Sequence, residues 1–253
     1  MPIITLTTDL GSKDHYVGAI KGSIYSRLAD VTIVDISHQI PTYNIQDAAY
    51  IIRNAYSAFP KGSIHIIGIR SEHTALSSHV IVLADGHYFI GADNGIFSLL
   101  LDNGFEKAVE LPASASTFPT RDVFASVAAG LAQGKTMEEL GTAKEHLLER
   151  MPFRAATMGD MIRGTVEYID SYGNVMCNIS ETLFNQVGKG RAFTIEFARY
   201  EIAKISRNYS DVPEGEILAI FNSAGQLEIA MHSDKASSML NLKLNDSITI
   251  RFQ

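Results

Sequence analysis

Strand-like apolar runs alternate with helix-like amphipathic segments over residues 1–150, and this alternation is the feature that most restricts the fold. The strand-like runs are residues 3–6, 31–36, 63–69 and 80–83, and the helix-like segments are residues 16–29, 45–58 and 121–132. Strands that alternate with helices form βαβ units, in which the strands run parallel. Asp85-Gly86 lies between two apolar runs and predicts a tight hairpin, because both turn positions favour positive φ. The sequence therefore predicts an α/β domain with a mainly parallel sheet and one antiparallel element.

The pattern changes near residue 150. Short strand-like runs then follow one another between Gly, Asn and Asp turns, and they are residues 162–169, 175–179, 192–197, 200–205, 217–221, 227–230 and 247–252. Short, evenly spaced strands without intervening helices are typical of a small β-barrel or sandwich. We therefore expect an α/β domain at 1–155 and a smaller all-β barrel domain at 161–253, with a linker at 151–161.

Composition limits the possible classes of function. The chain has 253 residues, a net charge of −7 and no cluster of Lys and Arg, which argues against a nucleic-acid partner. No apolar run approaches the roughly 18 residues that a transmembrane helix needs, and the N-terminus lacks the basic and apolar regions of a signal peptide. Cys177 is the single cysteine, so no internal disulfide can form. These features predict a cytoplasmic protein without a membrane partner, acting on a small molecule.

Two carboxylates lie where the first predicted strand gives way to the first helix. Asp9 and Asp14 follow the strand's carboxyl end, which is the edge where ligands bind in open α/β sheets. An ionised carboxylate only accepts hydrogen bonds, so it suits a ribose diol or an ammonium group, both of which donate. The alternative is structural: Asp9 is a turn residue and Asp14 a charge at a helix N-terminus. The residues are compatible with both interpretations.

A second pair of polar residues ends the next predicted strand. Asp35 and His38 have side chains that can form a metal site or a catalytic dyad, but at strand ends these residue types usually hydrogen-bond locally, and we expect that here. Tyr43 follows shortly afterwards and offers an aromatic wall to a ligand or a plain surface ring. We expect no metal site in this chain.

Seven segments resemble motifs of the S-adenosyl-L-methionine (SAM) hydroxide adenosyltransferase family, whose relatives include the SAM-dependent fluorinase and chlorinase. Residues 7–22 are similar to the family's opening TTDxGxxDxYVGxxKG, and the other segments are 34–40 (VDISHQI), 59–65 (FPKGSIH), 92–97 (ADNGIF), 117–124 (TFPTRDVF), 169–179 (IDSYGNVMCNI) and 221–230 (FNSAGQLEIA). They extend over nearly the whole chain. The resemblance implies attack of water on C5′ of SAM, which yields adenosine and L-methionine without a metal or an organic cofactor.

The chain departs from the family pattern at Arg70, Pro119 and Thr120. Arg70 stands where the family has an aspartate, and Pro119 stands where it has a histidine, so the family's Asp-Arg-His set is missing. A guanidinium cannot act as a base in proteins. Thr120 replaces a glycine of the family, and the halogenases have a serine there. Arg70 and Thr120 are therefore the candidate catalytic residues, although Thr120 also fits the N-cap of the following helix.

The resemblance also implies the contacts to the ligand. Asp170 is expected to receive the amino group of the methionine part, Tyr172 to stack on the adenine and Asn174 to hydrogen-bond its edge. Ser223 is expected near the substrate carboxylate, and main chain around Ser233 near the adenine. The full expected substrate-binding set is Asp9, Asp14, Tyr43, Phe118, Thr120, Asp170, Tyr172, Asn174, Ser223 and Ser233.

Three functions follow from these residues and this resemblance. The first is a SAM hydrolase with a rearranged water site. The second is a protein that binds SAM or adenosine with little or no turnover, which the loss of the carboxylate and the histidine favours. The third is a halide-using SAM adenosyltransferase, which the hydroxyl of Thr120 favours. The family resemblance further implies a homotrimer whose ligand lies between the first domain of one subunit and the second domain of its neighbour.

Overall fold

The computed structural model describes residues 1–151 and 153–253. These form two compact units, Met1–Met151 and Pro152–Gln253, which we call the N-terminal unit and the C-terminal unit. The expected linker, 151–161, includes residue 152, which lies outside the described residues. The short strand β8, Ala156–Met158, occupies part of the same stretch.

The N-terminal unit contains seven strands and five helices. Its strands are β1 (Ile3–Thr8), β2 (Thr32–Ser37), β3 (Ile64–Gly68), β4 (His79–Ala84), β5 (His87–Ala92), β6 (Lys107–Glu110) and β7 (Thr142–Ala143). Its helices are α1 (Tyr16–Tyr25), α2 (Ile45–Arg53), α3 (Ile96–Leu100), α4 (Ala125–Ala132) and α5 (Met137–Leu140), with a 3-10 turn at Tyr56–Ala58 and a π-helical turn at Thr120–Phe124.

The strands form one mixed sheet in the order β2-β1-β3-β5-β4-β6-β7. The four strands β2, β1, β3 and β5 pair in parallel, whereas β4 pairs antiparallel with both β5 and β6, and β7 pairs antiparallel with β6. The α/β class is confirmed, and β4 is the antiparallel element that the sequence predicts. Its hairpin turn is also confirmed, because Asp85 and Gly86 have φ of 50° and 71°.

Helices cover both faces of this sheet, because alternate residues of each central strand point to opposite sides. In β4, Val80 and Val82 pack with α2 and α3, whereas Ile81 packs with α1 and α4. The same division holds in β3, where Ile66 and Ile67 belong to different cores. Continuous apolar runs in the sequence are therefore explained by burial on both faces.

The helices are shorter than the sequence predicts, and one begins differently. The α1 helix ends at Tyr25, and α2 ends at Arg53 before the 3-10 turn. The interpretation of Thr120 as an N-cap is wrong. Pro119 precedes the π-helical turn with helical φ and ψ of −58° and −36°, and the Thr120 side chain is buried, where it hydrogen-bonds Ser71 instead of the helix backbone.

The C-terminal unit is built almost entirely of strands. They are β8, β9 (Met161–Ile169), β10 (Val175–Ser180), β11 (Phe193–Phe197), β12 (Tyr200–Ile202), β13 (Ile205–Ser206), β14 (Ile217–Phe221), β15 (Gln226–Met231) and β16 (Ser247–Phe252). Two helices, α6 (Glu181–Gly188) and α7 (Ala236–Met239), and a 3-10 turn at Tyr209–Asp211 interrupt them. The strand order β12-β11-β16-β9-β10-β15-β14-β13, with β8 on β9, makes a nearly closed barrel around one apolar core. The expected all-β barrel is confirmed.

No helix in residues 1–151 or 153–253 is long and apolar enough to cross a membrane.

Two buried histidines lie side by side in the parallel half of the N-terminal sheet. His65 of β3 is 1% exposed, and its Nδ1 lies 2.7 Å from Thr5 Oγ1 while its Nε2 lies 3.2 Å from His87 Nδ1. The His65 ring also stacks on Phe89, with centroids 4.9 Å apart. Burial, together with the neighbouring His87, lowers the pKa of His65 to about 3. The fold therefore holds this histidine neutral.

We expect this burial to make the unit sensitive to acid. Between pH 6.5 and 3 the unfolded chain binds a proton that folded His65 does not, so the free energy of unfolding falls as the pH is lowered. One such group contributes at most about 1.4 kcal/mol per pH unit. Urea denaturation at pH 7.5, 6 and 5 should give a smaller pH dependence for His65→Phe than for wild type. The same substitution at exposed His146 is the control, and an equal pH dependence in all three proteins would contradict the prediction.

Candidate active site

A cavity of about 500 Å³ opens in the N-terminal unit at the carboxyl ends of β1 and β3. Its lining comprises Asp9, Leu10, His15, Tyr16, Thr42, Tyr43, Gly68, Arg70, Ser71, Glu72, Thr117, Phe118, Pro119, Thr120 and Arg121. This edge of the sheet is where the strand order of α/β proteins creates ligand sites. The structure thus brings together Asp9, Tyr43, Phe118 and Thr120 of the expected substrate-binding set with Arg70, the other candidate catalytic residue.

Asp9 is the half-buried carboxylate of this cavity. Its Oδ2 accepts a hydrogen bond of 2.8 Å from the backbone N–H of Tyr43. Burial raises the pKa of Asp9, and the nearby negative charge of Glu72 adds to the rise, although the bond from Tyr43 opposes it. An incoming donor such as a ribose hydroxyl would relieve this desolvation, because it supplies the hydrogen bonds that water no longer does.

Asp14 lies apart from Asp9. It is exposed and outside the cavity lining, because α1 begins only at Tyr16 and the intervening residues carry Asp14 to the surface. His15 and Tyr16 face the cavity instead, and Tyr16 packs edge-on against Phe118 with ring centroids 5.5 Å apart. The role expected for Asp14 stays a prediction.

Arg70 lies in the cavity wall in an uncommon backbone conformation. Its φ is +46°, and the carbonyl before it, that of Ile69, accepts a 3.0 Å hydrogen bond from the Asn94 side chain. The guanidinium carbon lies 6.0 Å from the centroid of the Tyr43 ring. Tyr43 itself has φ of +64°. Left-handed conformations of residues other than Gly, Asn or Asp are costly and concentrate at functional sites.

Thr120 closes the floor of the cavity. It is 1% exposed and donates a 3.2 Å hydrogen bond to Ser71 Oγ, while the Ser71 carbonyl lies 2.8 Å from Nε2 of buried His79. A Cβ atom on Gly68 would come within 2.9 Å of the Thr120 side chain. The close approach of Thr120 to the backbone therefore requires glycine at position 68. The hydroxyl groups of Thr120 and Ser71 lie side by side at the end of β3.

A second cavity, of about 700 Å³, lies in the C-terminal unit. Its lining comprises Asp170, Ser171, Tyr172, Asn174, Tyr209, Met231, Ser233, Asp234 and Lys235. Four residues of the expected set therefore meet here, namely Asp170, Tyr172, Asn174 and Ser233. Ser223 is exposed and outside this lining, so its expected contact stays a prediction.

The turn after β9 holds the polar groups of this second cavity in place. Asp170 accepts hydrogen bonds from the backbone N–H of Asn174 at 2.8 Å and from its side-chain amide at 3.3 Å. A carboxylate has about four acceptor positions, so Asp170 keeps capacity for a donor from a ligand. Tyr172 is 77% exposed and leaves a ring face open beside it.

A buried acid behind this cavity, Glu228, lies in the matched segment 221–230, but sequence reasoning assigns it no role. Glu228 is 2% exposed, and its carboxylate accepts hydrogen bonds from Tyr209 at 2.8 Å and from Asn222 at 3.3 Å. Burial raises the pKa of Glu228, and the charge of Asp170 adds to the rise. Burial and the bond to Glu228 raise the pKa of Tyr209 to about 12. A signal was present, since Glu228 is the only charged residue in the apolar strand β15, whereas Tyr209 and Lys235 belong to no motif.

Neither cavity offers a metal site. No group of three or more His, Cys, Asp or Glu residues within 1–151 and 153–253 is arranged to hold a metal ion.

Known proteins resemble the whole chain. The model of the SAM hydroxide adenosyltransferase N-terminal domain matches residues 4–141, and that of the C-terminal domain matches residues 164–249. A protein of Methanocaldococcus jannaschii named (R)-S-adenosyl-L-methionine hydrolase is 30% identical, covering 99% of this chain and 96% of its own length. A protein of Thermus thermophilus with the same name is also 30% identical, covering 93% of this chain and 94% of its own length. A fluorinase of Actinopolyspora mzabensis is 24% identical, covering 98% of this chain and 97% of its own length.

A solved structure shares the fold. The crystal structure of an uncharacterized conserved protein from Thermotoga maritima superposes with a TM-score of 0.90 at 27% identity, covering 98% of this chain and 99% of that one. With two family models that between them match most of the chain, and with full-length relatives at 30% identity, the chain belongs to the SAM hydroxide adenosyltransferase family.

Proposed function

We propose that this protein hydrolyses SAM to adenosine and L-methionine. The observation that carries the proposal is the half-buried Asp9 carboxylate in a cavity at the carboxyl edge of the sheet, within a chain whose full-length relatives at 30% identity are named (R)-SAM hydrolases. Asp9 suits the ribose diol of the substrate, because its carboxylate accepts and both hydroxyls donate.

The reaction is a displacement at C5′ of the ribose. The oxygen of a water molecule forms a bond to C5′ while the C5′–S bond breaks, and the bonding pair leaves with sulfur, so methionine departs as a neutral thioether. The attacking water gives its proton to solvent or to a carboxylate and becomes the 5′-hydroxyl of adenosine. A sulfonium is a good leaving group, so the protein mainly has to align and desolvate the water. This chemistry requires neither a metal nor an organic cofactor.

The two cavities offer complementary parts of a SAM site. Asp9 suits the diol, and Tyr43 and Phe118 provide aromatic walls near it. Asp170 suits the ammonium group of the methionine part, Tyr172 the adenine ring and Asn174 its polar edge. The family resemblance implies a homotrimer in which the N-terminal unit of one subunit and the C-terminal unit of its neighbour complete each site, and this division of the residues is compatible with it.

Two other functions remain as alternatives. A protein that binds SAM or adenosine without turnover is favoured by Arg70, because a guanidinium in the cavity wall does not replace a water-orienting carboxylate. A halide-using SAM adenosyltransferase is favoured by the paired hydroxyls of Ser71 and Thr120. Products separate the three: adenosine with methionine, unchanged SAM, or a 5′-halogenated adenosine with methionine.

The direct test of the proposal is turnover, and its first prediction concerns Asp9. Wild type incubated with SAM should yield adenosine and methionine in equal amounts by liquid chromatography. Asp9→Ala should weaken adenosine binding by about 1.5–3 kcal/mol, the usual contribution of a hydrogen bond to a charged group. Asp30→Ala, at an exposed loop position, is the matched control. Calorimetry that detects neither SAM nor adenosine binding to wild type at millimolar concentration would rule the proposal out.

A second prediction concerns Arg70 and Pro119. A guanidinium 4–6 Å from the sulfonium costs roughly 3–4 kcal/mol at an effective dielectric near 20, before screening by salt. We therefore expect wild type to turn SAM over more slowly than the double variant Arg70→Asp, Pro119→His, and to be indifferent to halide. Asp tolerates the left-handed backbone at position 70.

The matched control is Arg70→Asn with Pro119→His, because Asn also tolerates that backbone but brings no charge. Both double variants lack the guanidinium and should be faster than wild type, and the aspartate version should be the faster of the two because only its carboxylate can orient the water. Wild-type turnover above that of the double variant would show that this chain has a competent water site of its own.

A third prediction tests the shared site in the proposed trimer. Chains carrying Asp9→Ala and chains carrying Asp170→Ala are each expected to have strongly reduced activity at subsaturating SAM. If each site uses two subunits, co-expression in equal amounts places both intact halves together in about one quarter of the sites. Activity near that fraction of wild type should return, together with a trimer by light scattering. Lack of any recovery in verified mixed oligomers, or a monomer at micromolar concentration, would contradict the proposed assembly.

A further inference from the structure

Four polar side chains form a continuous series behind the first cavity. Lys21 Nζ lies 2.6 Å from Asp35 Oδ2, and Asp35 Oδ1 lies 3.2 Å from His38 Nε2. His38 Nδ1 lies 2.7 Å from Thr8 Oγ1. Thr8 is fully buried and precedes Asp9 in the chain, so the series runs from the surface of α1 to the residue next to the cavity carboxylate.

The chemistry of the groups fixes the direction of each contact. The Asp35 carboxylate lies 3.2 Å from His38 Nε2 without an aligned hydrogen bond, but its negative charge repels a nitrogen lone pair, so the hydrogen of a neutral His38 ring resides on Nε2. Nδ1 is then the acceptor, and the Thr8 hydroxyl donates to it. With its hydrogen committed, Thr8 Oγ1 offers lone pairs to the backbone N–H of Leu10, which lies 3.4 Å away. The hydroxyl of Thr8 thus connects the histidine to the backbone on the far side of Asp9.

His38 contacts this turn a second time through its own backbone. Its carbonyl accepts a 2.8 Å hydrogen bond from the N–H of Gly11, whose φ of +67° requires glycine. The residues before and after Asp9 are therefore both tied to His38. The Asp9 side chain has a separate tie, the bond from Tyr43 N–H.

We propose that Lys21, Asp35, His38 and Thr8 are positioning residues that set the direction in which Asp9 presents its carboxylate to a vicinal diol. This inference rests on the proposed function, because the diol is that of the adenosine part of the substrate. Loss of the Thr8 hydroxyl removes the tie to Leu10 and leaves only those at Gly11 and Tyr43, so the Asp9 carboxylate is held less firmly and its two oxygens no longer meet both hydroxyls at once. The proposed role of Thr8 is positioning rather than catalytic, since its hydroxyl is buried.

The test separates positioning from general damage by comparing two ligands. Calorimetry measures adenosine and 2′,3′-dideoxyadenosine binding to wild type, Thr8→Val and Thr8→Ser. Val has the shape of Thr without the hydroxyl, and Ser keeps the hydroxyl. We expect Thr8→Val to weaken adenosine binding about tenfold, to leave dideoxyadenosine binding unchanged, and Thr8→Ser to restore most of the loss. In an Asp9→Ala background, Thr8→Val should have no further effect on adenosine.

The possible outcomes have distinct meanings. Equal weakening of both ligands, or undiminished adenosine binding by Thr8→Val, overturns this inference and leaves the proposed function intact. A wild-type protein that binds neither ligand overturns both. A ligand-free measurement gives an independent check: nitrogen-15 spectra of His38 should show the hydrogen on Nε2 in wild type. An Nδ1–H ring in wild type would overturn the assigned direction of the series.

Discussion

The position of β1 in the sheet determines where the chemistry of the N-terminal unit lies. This strand is hydrogen-bonded to β2 on one side and β3 on the other, with Thr8 paired to Gly68 at its last position. Ile4 and Leu6 of β1 are fully buried on one face and Thr5 and Thr7 on the other, so a one-residue shift in register would exchange the two faces and is strongly disfavoured. Asp9 therefore leaves the sheet at a fixed place. The carboxylate is half buried because of this rigid pairing, and a flexible loop would have allowed it to reach water.

Backbone strain occurs at several of the expected ligand contacts, as well as at Lys189 and Ala198 outside both cavities. Tyr43 and Arg70 in the first cavity and Ser233 in the second all have φ between 46° and 64°. Each such conformation costs on the order of 1–3 kcal/mol in a residue that is not Gly, Asn or Asp. The surrounding contacts hold them there, for example the side-chain amide of Asn94 on the carbonyl before Arg70. Substitutions at these positions therefore change backbone freedom as well as side-chain chemistry, and matched variants have to account for both.

The sequence predicts the two-part fold and much of both cavities, because periodicity and turn chemistry are local. Asp85-Gly86 is an example, since its residues alone demand positive φ. Other features depend on tertiary packing and carry no local signal. The direction of Thr120 follows from a π-helical turn packed against Gly68, and the exposure of Asp14 follows from a late start of α1. Tyr209 reaches the second cavity from a 3-10 turn that resembles no motif, drawn there by Glu228. Local sequence patterns therefore do not predict contacts between segments that are distant in the chain.

Charge placement within the first cavity decides between binding and turnover. As water attacks C5′, positive charge leaves sulfur and develops on the attacking oxygen. A carboxylate beside the sulfonium stabilises the substrate more than the transition state and slows the reaction, whereas one beside the water does the opposite. Asp9, Arg70 and Glu72 all line the cavity, so one guanidinium shares its wall with two carboxylates. A guanidinium beside the water would oppose the developing charge as strongly as a carboxylate would favour it. For the proposed hydrolysis, the rate therefore depends less on how many charged groups the cavity holds than on which of them faces the incoming water.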